Sequence, residues 1–210
     1  MSVPAESIFF DLWSATYDRP GLQRTTYRPI HDAVLNRLDG LKPDHVLDLG
    51  CGTGQLTERL GAAFPDALVV GADLSDGMLE RATDRMANEH AAAFLRADAQ
   101  HLPIADGSLD IVTCTESFHW YANQTAAAAE LARLVRPGGR VVIASIATVT
   151  GFADDAIQRA STLAGRPVRA IPKRQLRRLL EAAGLNVLHQ GRIPRLGFVP
   201  WPLLTDATRR

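Results

Sequence analysis

Apolar and polar positions change period at residue 45, and that change organises the chain. Before it, apolar residues recur at helical spacing. Ile8, Leu12 and Ala15, with Phe9 and Trp13 beside them, predict a helix over residues 5–18. Ile30, Val34, Leu35 and Leu38 predict a second from Pro29 to Leu38. Asp18-Arg19-Pro20-Gly21 is the turn between them, and Gly40-Leu41-Lys42-Pro43-Asp44 stops the second. After residue 45, short apolar runs alternate with helical patterns. The runs predict strands at His45–Leu49, Ala67–Ala72, Ala92–Arg96, Ser108–Cys114 and Arg140–Ile146. The helices between them fall at about Gly54–Ala63, Ser75–Asn88 and Asn123–Leu134, with Ser75 a good N-cap. Ala105-Asp106-Gly107 and Arg136-Pro137-Gly138-Gly139 read as turns. Near-continuous apolar strands alternating with helices imply an α/β fold, a parallel sheet covered on both faces.

The last third is less regular. Residues 151–164 read as a helix. Pro172–Ala183 is amphipathic, with Leu176, Leu179, Leu180 and Ala183 opposite Lys173, Arg174, Arg177 and Arg178, and Gly184 ends it. The basic face is either solvated or a lure for an anionic acceptor. Leu185–Gln190 and Leu196–Val199 read as an antiparallel strand pair at a sheet edge, joined by a Gly191–Arg195 turn. Thr205–Arg210 reads as a frayed end.

Composition narrows the class. With 210 residues, 46% hydrophobic and 22% charged, the chain suits one domain with a full core, residues 1–210. Its net charge is zero, so no global field draws in nucleic acid, and no nucleic-acid partner is expected. No apolar stretch is long enough for a membrane span, and the first residues lack a signal pattern. Two cysteines, Cys51 and Cys114, make no disulfide framework, so a cytoplasmic setting is expected. The six histidines are scattered without ligand spacing, and no metal is expected.

The candidate chemistry starts at Val46-Leu47-Asp48-Leu49-Gly50-Cys51-Gly52-Thr53-Gly54. An apolar strand, an acid and three glycines at alternate positions precede a helix start. Such a turn lets a ligand approach the backbone and meet free N–H groups at the helix N-terminus. The dinucleotide fingerprint needs its third glycine one place later, where Gln55 stands. The phosphate-binding lysine loop fails because no lysine is near. S-adenosylmethionine has no pyrophosphate to wrap, and Asp48 suits its cationic methionine end, directly or through water. Asp73, at the end of the next strand, can accept from both ribose hydroxyls, with Leu74 and Met78 toward the adenine. Asp98 and Ala99, after the third strand, can meet the adenine amino group.

Five ordered segments then carry a resemblance: Val46–Gly54, Gly71-Ala72-Asp73-Leu74-Ser75, Ala97-Asp98-Ala99, Leu109-Asp110-Ile111-Val112 and Leu134-Val135-Arg136-Pro137-Gly138-Gly139. They resemble the motifs of class I S-adenosylmethionine-dependent methyltransferases, and within them the type 11 group of quinone-biosynthesis and small-molecule enzymes. The likeness covers roughly residues 44–146. It implies a Rossmann-like, seven-stranded, mostly parallel sheet ending in an antiparallel hairpin. It also implies a division into cap helices (1–43), cofactor core (44–146), short acceptor-side insert (147–171) and C-terminal helix and hairpin (172–210). The cofactor site it implies comprises Asp48, Gly50, Cys51, Gly52, Gly54, Asp73, Leu74, Met78, Asp98, Ala99 and Thr115, with Tyr17 and Arg28 from the cap. Strands one and four are neighbours in that family, so Cys51 and Cys114 either approach each other or stay independent buried thiols.

In similar enzymes the segment after strand four runs past the methyl group. Here it is Thr115-Glu116-Ser117-Phe118-His119-Trp120-Tyr121. His119 is its general-base candidate, because imidazole titrates near neutral pH; a wall or packing role is the alternative. Trp120 and Tyr121 either line an acceptor pocket or begin the next helix. The short insert leaves an open site for a bulky acceptor or a lid lent by a second subunit in a homodimer. The expected function is methyl transfer to a small-molecule, lipid or quinone-type acceptor, at oxygen or carbon. The alternative is a non-catalytic S-adenosylmethionine-binding sensor or partner subunit.

Overall fold

The computed structural model describes residues 23–87, 92–146, 168–194 and 201–210. A π-helical turn, Gln23–Tyr27, leads into α1 (Arg28–Leu38), with Pro29 in its first turn. There follow β1 (His45–Leu49), α2 (Gln55–Ala63), β2 (Leu68–Asp73), α3 (Asp76–Met86), β3 (Ala93–Arg96) and β4 (Leu109–Thr115). Next come a one-turn helix (Phe118–Trp120), α4 (Gln124–Leu134), β5 (Val135–Ser145), α5 (Lys173–Ala182), β6 (Leu185–Arg192) and β7 (Leu203–Arg209). The predicted helix at 5–18, the helix at 151–164 and the strand at Leu196–Val199 lie outside the described residues.

The strands form one seven-stranded sheet in the order β3-β2-β1-β4-β5-β7-β6. The first five are parallel, and β7 is antiparallel to both β5 and β6. Chain order reverses between β1 and β4, where ligands of open α/β sheets bind beyond the strand carboxyl ends.

Period-two alternation distributes the core to both faces. Val46, Ile111 and Val142 pack with Ile30 and Val34 of α1 and Leu56 and Leu60 of α2. Leu47, Val112 and Ile143 pack with Leu131 and Leu134 of α4 and Leu176 and Leu180 of α5. The serine N-cap at residue 75 forms, its side chain accepting from the Met78 N–H at 3.1 Å, and Asn123 caps α4 in the same way.

Three expectations change. The Arg136–Gly139 turn lies inside β5: Leu109 pairs Val135, then Ile111 pairs Arg140, so the turn is a bulge that the sheet absorbs. Thr205–Arg210 is not frayed, because Leu203–Arg209 forms the hairpin's second strand, between β5 and β6. It earns that place through Asp206, which is 0% exposed and accepts from Arg37 of α1 at 2.7 Å and from Arg140 of β5. Finally, part of the basic face of α5 serves the fold. Lys173 Nζ donates to the Gln190 carbonyl at 3.2 Å, and Arg177 reaches Gln190 Oε1 at 3.3 Å, covering the edge strand β6.

Candidate functional site

The three acids stand where the strands end. Asp48 sits on β1 at 1% exposure, with Oδ2 accepting from Thr57 Oγ1 at 2.8 Å and Oδ1 from Thr113 Oγ1 at 2.9 Å. Thr57 comes from the first turns of α2, and Thr113 is its register partner on β4. Burial pushes the Asp48 carboxyl up to about 6; the two hydroxyls oppose that rise, and the charge of Asp73 adds to it. No cation pairs with Asp48 among the described residues.

The glycine turn is wound tightly, with φ of +70°, +55° and +76° at Gly50, Gly52 and Gly54, a left-handed run that side chains resist. Four of its N–H groups are spent inside the protein, in the turn ahead of the helix start. Gly50 and Cys51 donate to the Ala72 carbonyl at 2.7 and 3.0 Å, Gly52 to Asp73 Oδ2 at 2.9 Å, and Gly54 to the Cys51 carbonyl at 3.0 Å. A phosphate cradle needs such groups aimed at the ligand. These four groups are not aimed at an anion, and the buried Asp48 carboxylate stands just before them in the chain.

The glycines do separate tasks. A Cβ on Gly52 would meet nothing nearer than Met78 Sδ at 4.0 Å, so space opens there. A Cβ on Gly54 would stand 3.0 Å from that of Ala82, so this glycine lets α3 pack close. Gly50 faces Ser117, as described below.

Asp73 ends β2, half-buried, with Oδ1 accepting from the Ser75 N–H at 2.9 Å and Oδ2 from Gly52. Leu74 is half-buried next to it, whereas Met78 is buried beneath Gly52. Asp98 is exposed after β3, bonded to the Gln100 N–H at 2.9 Å, with Ala99 buried beside it. Thr115 closes β4 half-buried, and Glu116 follows at φ +52°, a left-handed position for a residue with a side chain. Arg28 is exposed at the start of α1; Tyr17 lies outside the described residues.

His119 is 1% exposed, its Nδ1 lying 3.1 Å from Ser145 Oγ at the end of β5 and its carbonyl accepting from the Arg169 N–H at 2.7 Å. The ring that sequence spacing offers as a base is thus packed against the sheet. Cys51 and Cys114 are free buried thiols with separate surroundings: Cys51 Sγ lies at Gly71, and Cys114 Sγ lies 3.1 Å from Ser117 Oγ. Burial raises both thiols, Cys114 to about 11. Sequence reasoning missed Thr57, Thr113 and Ser117, hydroxyls whose one signal is a polar residue on an otherwise apolar face. Among the described residues no group of three or more metal-ligating side chains occurs, and no helix is long and apolar enough to cross a membrane.

Comparison with known proteins agrees with this arrangement. Residues 47–143 match the family described as "Methyltransferase domain". A malonyl-[acyl-carrier protein] O-methyltransferase of Hahella chejuensis is 35% identical over 144 residues, 68% of this chain and 50% of that protein. The chain thus spans about half the length of that relative. The protein of the same name from Dechloromonas aromatica is 33% identical over 212 residues, 87% of this chain and 77% of its own. The N-methyltransferase NodS of Bradyrhizobium japonicum, solved with S-adenosyl-L-homocysteine, shares the fold at a TM-score of 0.78, 17% identity and 97% coverage of both chains. With the sheet order, the acids ending successive strands and these matches together, the chain belongs to the methyltransferase domain family, in the Rossmann-like class I fold.

Proposed function

We propose that this chain binds S-adenosylmethionine over the Asp48–Gly54 turn and transfers its methyl group to the oxygen of a small-molecule or acyl-carrier-borne acceptor. The observation that supports it most is the buried Asp48 carboxylate, held by hydroxyls and facing no cation among the described residues. S-adenosylmethionine brings an ammonium and a sulfonium, and a cation over this turn offsets a charge that the protein leaves unbalanced. Asp73 takes the ribose diol, Gly52 gives the space, and Asp98 and Ala99 face the adenine. Transfer is an in-line displacement at the sulfonium methyl, and the protein's share is alignment and exclusion of water.

Oxygen acceptors are favoured because the relatives named above act on malonyl-[acyl-carrier protein]. A malonyl-type carboxylate is ionised at neutral pH and needs no base, which suits the burial of His119. We assign His119 a positioning role, tying the turn after β4 to Ser145.

The test is a calorimetric titration with S-adenosylmethionine and with NAD between pH 7 and 5, followed by a methyl-transfer screen over carboxylate, hydroxyl and carbon acceptors. Only S-adenosylmethionine should bind. Because a bound cation favours ionised Asp48, binding releases a proton, and affinity should fall about tenfold from pH 7 to pH 5 as the carboxyl near 6 protonates. A pH-independent affinity would overturn the Asp48 assignment. Binding without transfer to any acceptor class would move the reading to a sensor or partner subunit.

A further inference from the structure

The turn after β4 meets the glycine loop at one place. Gly50 has no room for a side chain there: a Cβ would lie 2.4 Å from both Cβ and Oγ of Ser117 and 3.3 Å from the Tyr121 hydroxyl. Ser117 Oγ is 3.2 Å from the Leu49 carbonyl, 3.0 Å from the Tyr121 hydroxyl and 3.1 Å from Cys114 Sγ. The Phe118 ring meets the Tyr121 ring edge-on at 5.6 Å, which fixes the phenol.

Counting protons sets the direction of these bonds. The Leu49 carbonyl can only accept, so the single Ser117 hydroxyl hydrogen goes to it. The Ser117 oxygen is then an acceptor toward the Tyr121 hydroxyl and the Cys114 thiol. Burial holds both of those groups protonated, the phenol well above its ordinary value and the thiol at about 11, so both stay donors across the physiological range. The result is a directed chain, Tyr121 to Ser117 to Leu49.

We infer that Ser117 and Tyr121 are positioning residues that set the cofactor turn from the acceptor side. Leu49 and Gly50 are the hinge between β1 and the turn. On one side the Gly50 and Cys51 N–H groups are held by the Ala72 carbonyl of β2; on the other the Leu49 carbonyl is held by Ser117. The two contacts together fix where the turn presents Gly52 to the ligand. The left-handed backbone at Glu116 fits this role, since it turns the chain from β4 so that Ser117 lands on Gly50. The same turn carries His119 against Ser145, and its Trp120 carbonyl accepts from the Arg169 guanidinium at 3.3 Å, so movement on the acceptor side passes to the cofactor loop through the Ser117 hydroxyl. Tyr121 accordingly serves the cofactor loop instead of lining an acceptor pocket.

This rests on S-adenosylmethionine lying over the turn, and the experiment separates the two readings. S-adenosylhomocysteine is titrated into the full chain and into Tyr121→Phe, Ser117→Ala and the double variant, with amide hydrogen exchange followed at Gly50 and Cys51. Each single change should weaken binding about 5- to 10-fold, and the double change should be no weaker than Ser117→Ala, because Tyr121 acts through Ser117. Exchange at Gly50 and Cys51 should quicken in both singles, also if one variant proves too unstable for calorimetry. Wild-type binding with unchanged single variants, or a double effect equal to the product of the singles, would overturn the inference alone. No binding by the wild type would overturn the cofactor reading and this inference with it.

Discussion

Asp48 and Asp206 are both buried aspartates on sheet strands, and they are balanced in opposite ways. Asp206 joins α1, β5 and β7 through two guanidiniums, Arg37 and Arg140, and its charge is settled within the protein. Asp48 has two threonine hydroxyls and no cation among the described residues, and burial lifts its carboxyl to about 6. A buried charge with its own partners is a structural joint. One without them is costly in the empty protein and gains when a ligand brings the missing charge. The two stand on one register row of the sheet, through Thr113 and Val142, so their partners and not their level along the strands make the difference.

The sharpest way to break that contrast is Asp206→Ala. It leaves two guanidiniums without the buried carboxylate they share, and should cost about 3 kcal/mol of stability, the low end because both arginines are partly exposed. Urea unfolding reads the loss, and S-adenosylmethionine affinity of the folded fraction should stay within about twofold. Asp73→Ala comes next, with binding weaker by about 1.5–3 kcal/mol as charge-assisted bonds to the ribose are lost. Unchanged affinity in calorimetry would remove Asp73 from the site.

Asp48→Asn should change stability at pH 7 by only about 1 kcal/mol, since it removes a buried charge as well as its bonds. Its effect should show in the pH dependence. Asp48 binds its proton more tightly folded than unfolded, so its contribution to stability is present at low pH and is lost as pH rises through about 6. His31 on α1 behaves oppositely. Burial, then the charge of Arg59, hold its imidazole down to about 4, with Asp32 pulling it up. The unfolded chain therefore takes the proton first, and stability is lost as pH falls from about 6.5 to 4. The two trends offset each other between pH 7 and 5. Removing Asp48 should expose the histidine's trend, and the variant should lose about 1 kcal/mol more than wild type over that interval. Urea midpoints at both pH values measure it; parallel curves would show that Asp48 is already ionised in the folded protein near pH 5.

The parts legible in the sequence are those whose signals are local. His45–Leu49 ends in a short apolar run of strand length stopped by glycines, and a strand forms over those residues, buried from Val46 onward. The N-cap at Ser75 and the acids ending β1 and β2 lie within a few positions of the elements they mark. The seventh strand was not legible. Leu203-Leu204-Thr205-Asp206-Ala207 carries a charge in the middle of an apolar run, and at the chain's end that pattern resembles a loose tail. Its partners, Arg37 and Arg140, are 169 and 66 residues away in the chain. His119 shows the same gap at the site. Its place after β4 was readable, but its burial against Ser145 depends on the pairing of β4 with β5.

By itself, then, the sequence determined the alternation of strands and helices, the tight glycine turn and the row of acids at one sheet edge. Each follows from side-chain size, backbone freedom or charge at neighbouring positions. Tertiary structure alone decided which acid is balanced and which is not, which way the turn's N–H groups point, and that Ser117 rests on Gly50. Those outcomes depend on groups that meet only when the sheet closes, where burial and the direction of each hydrogen bond set the charge state and the task of every side chain.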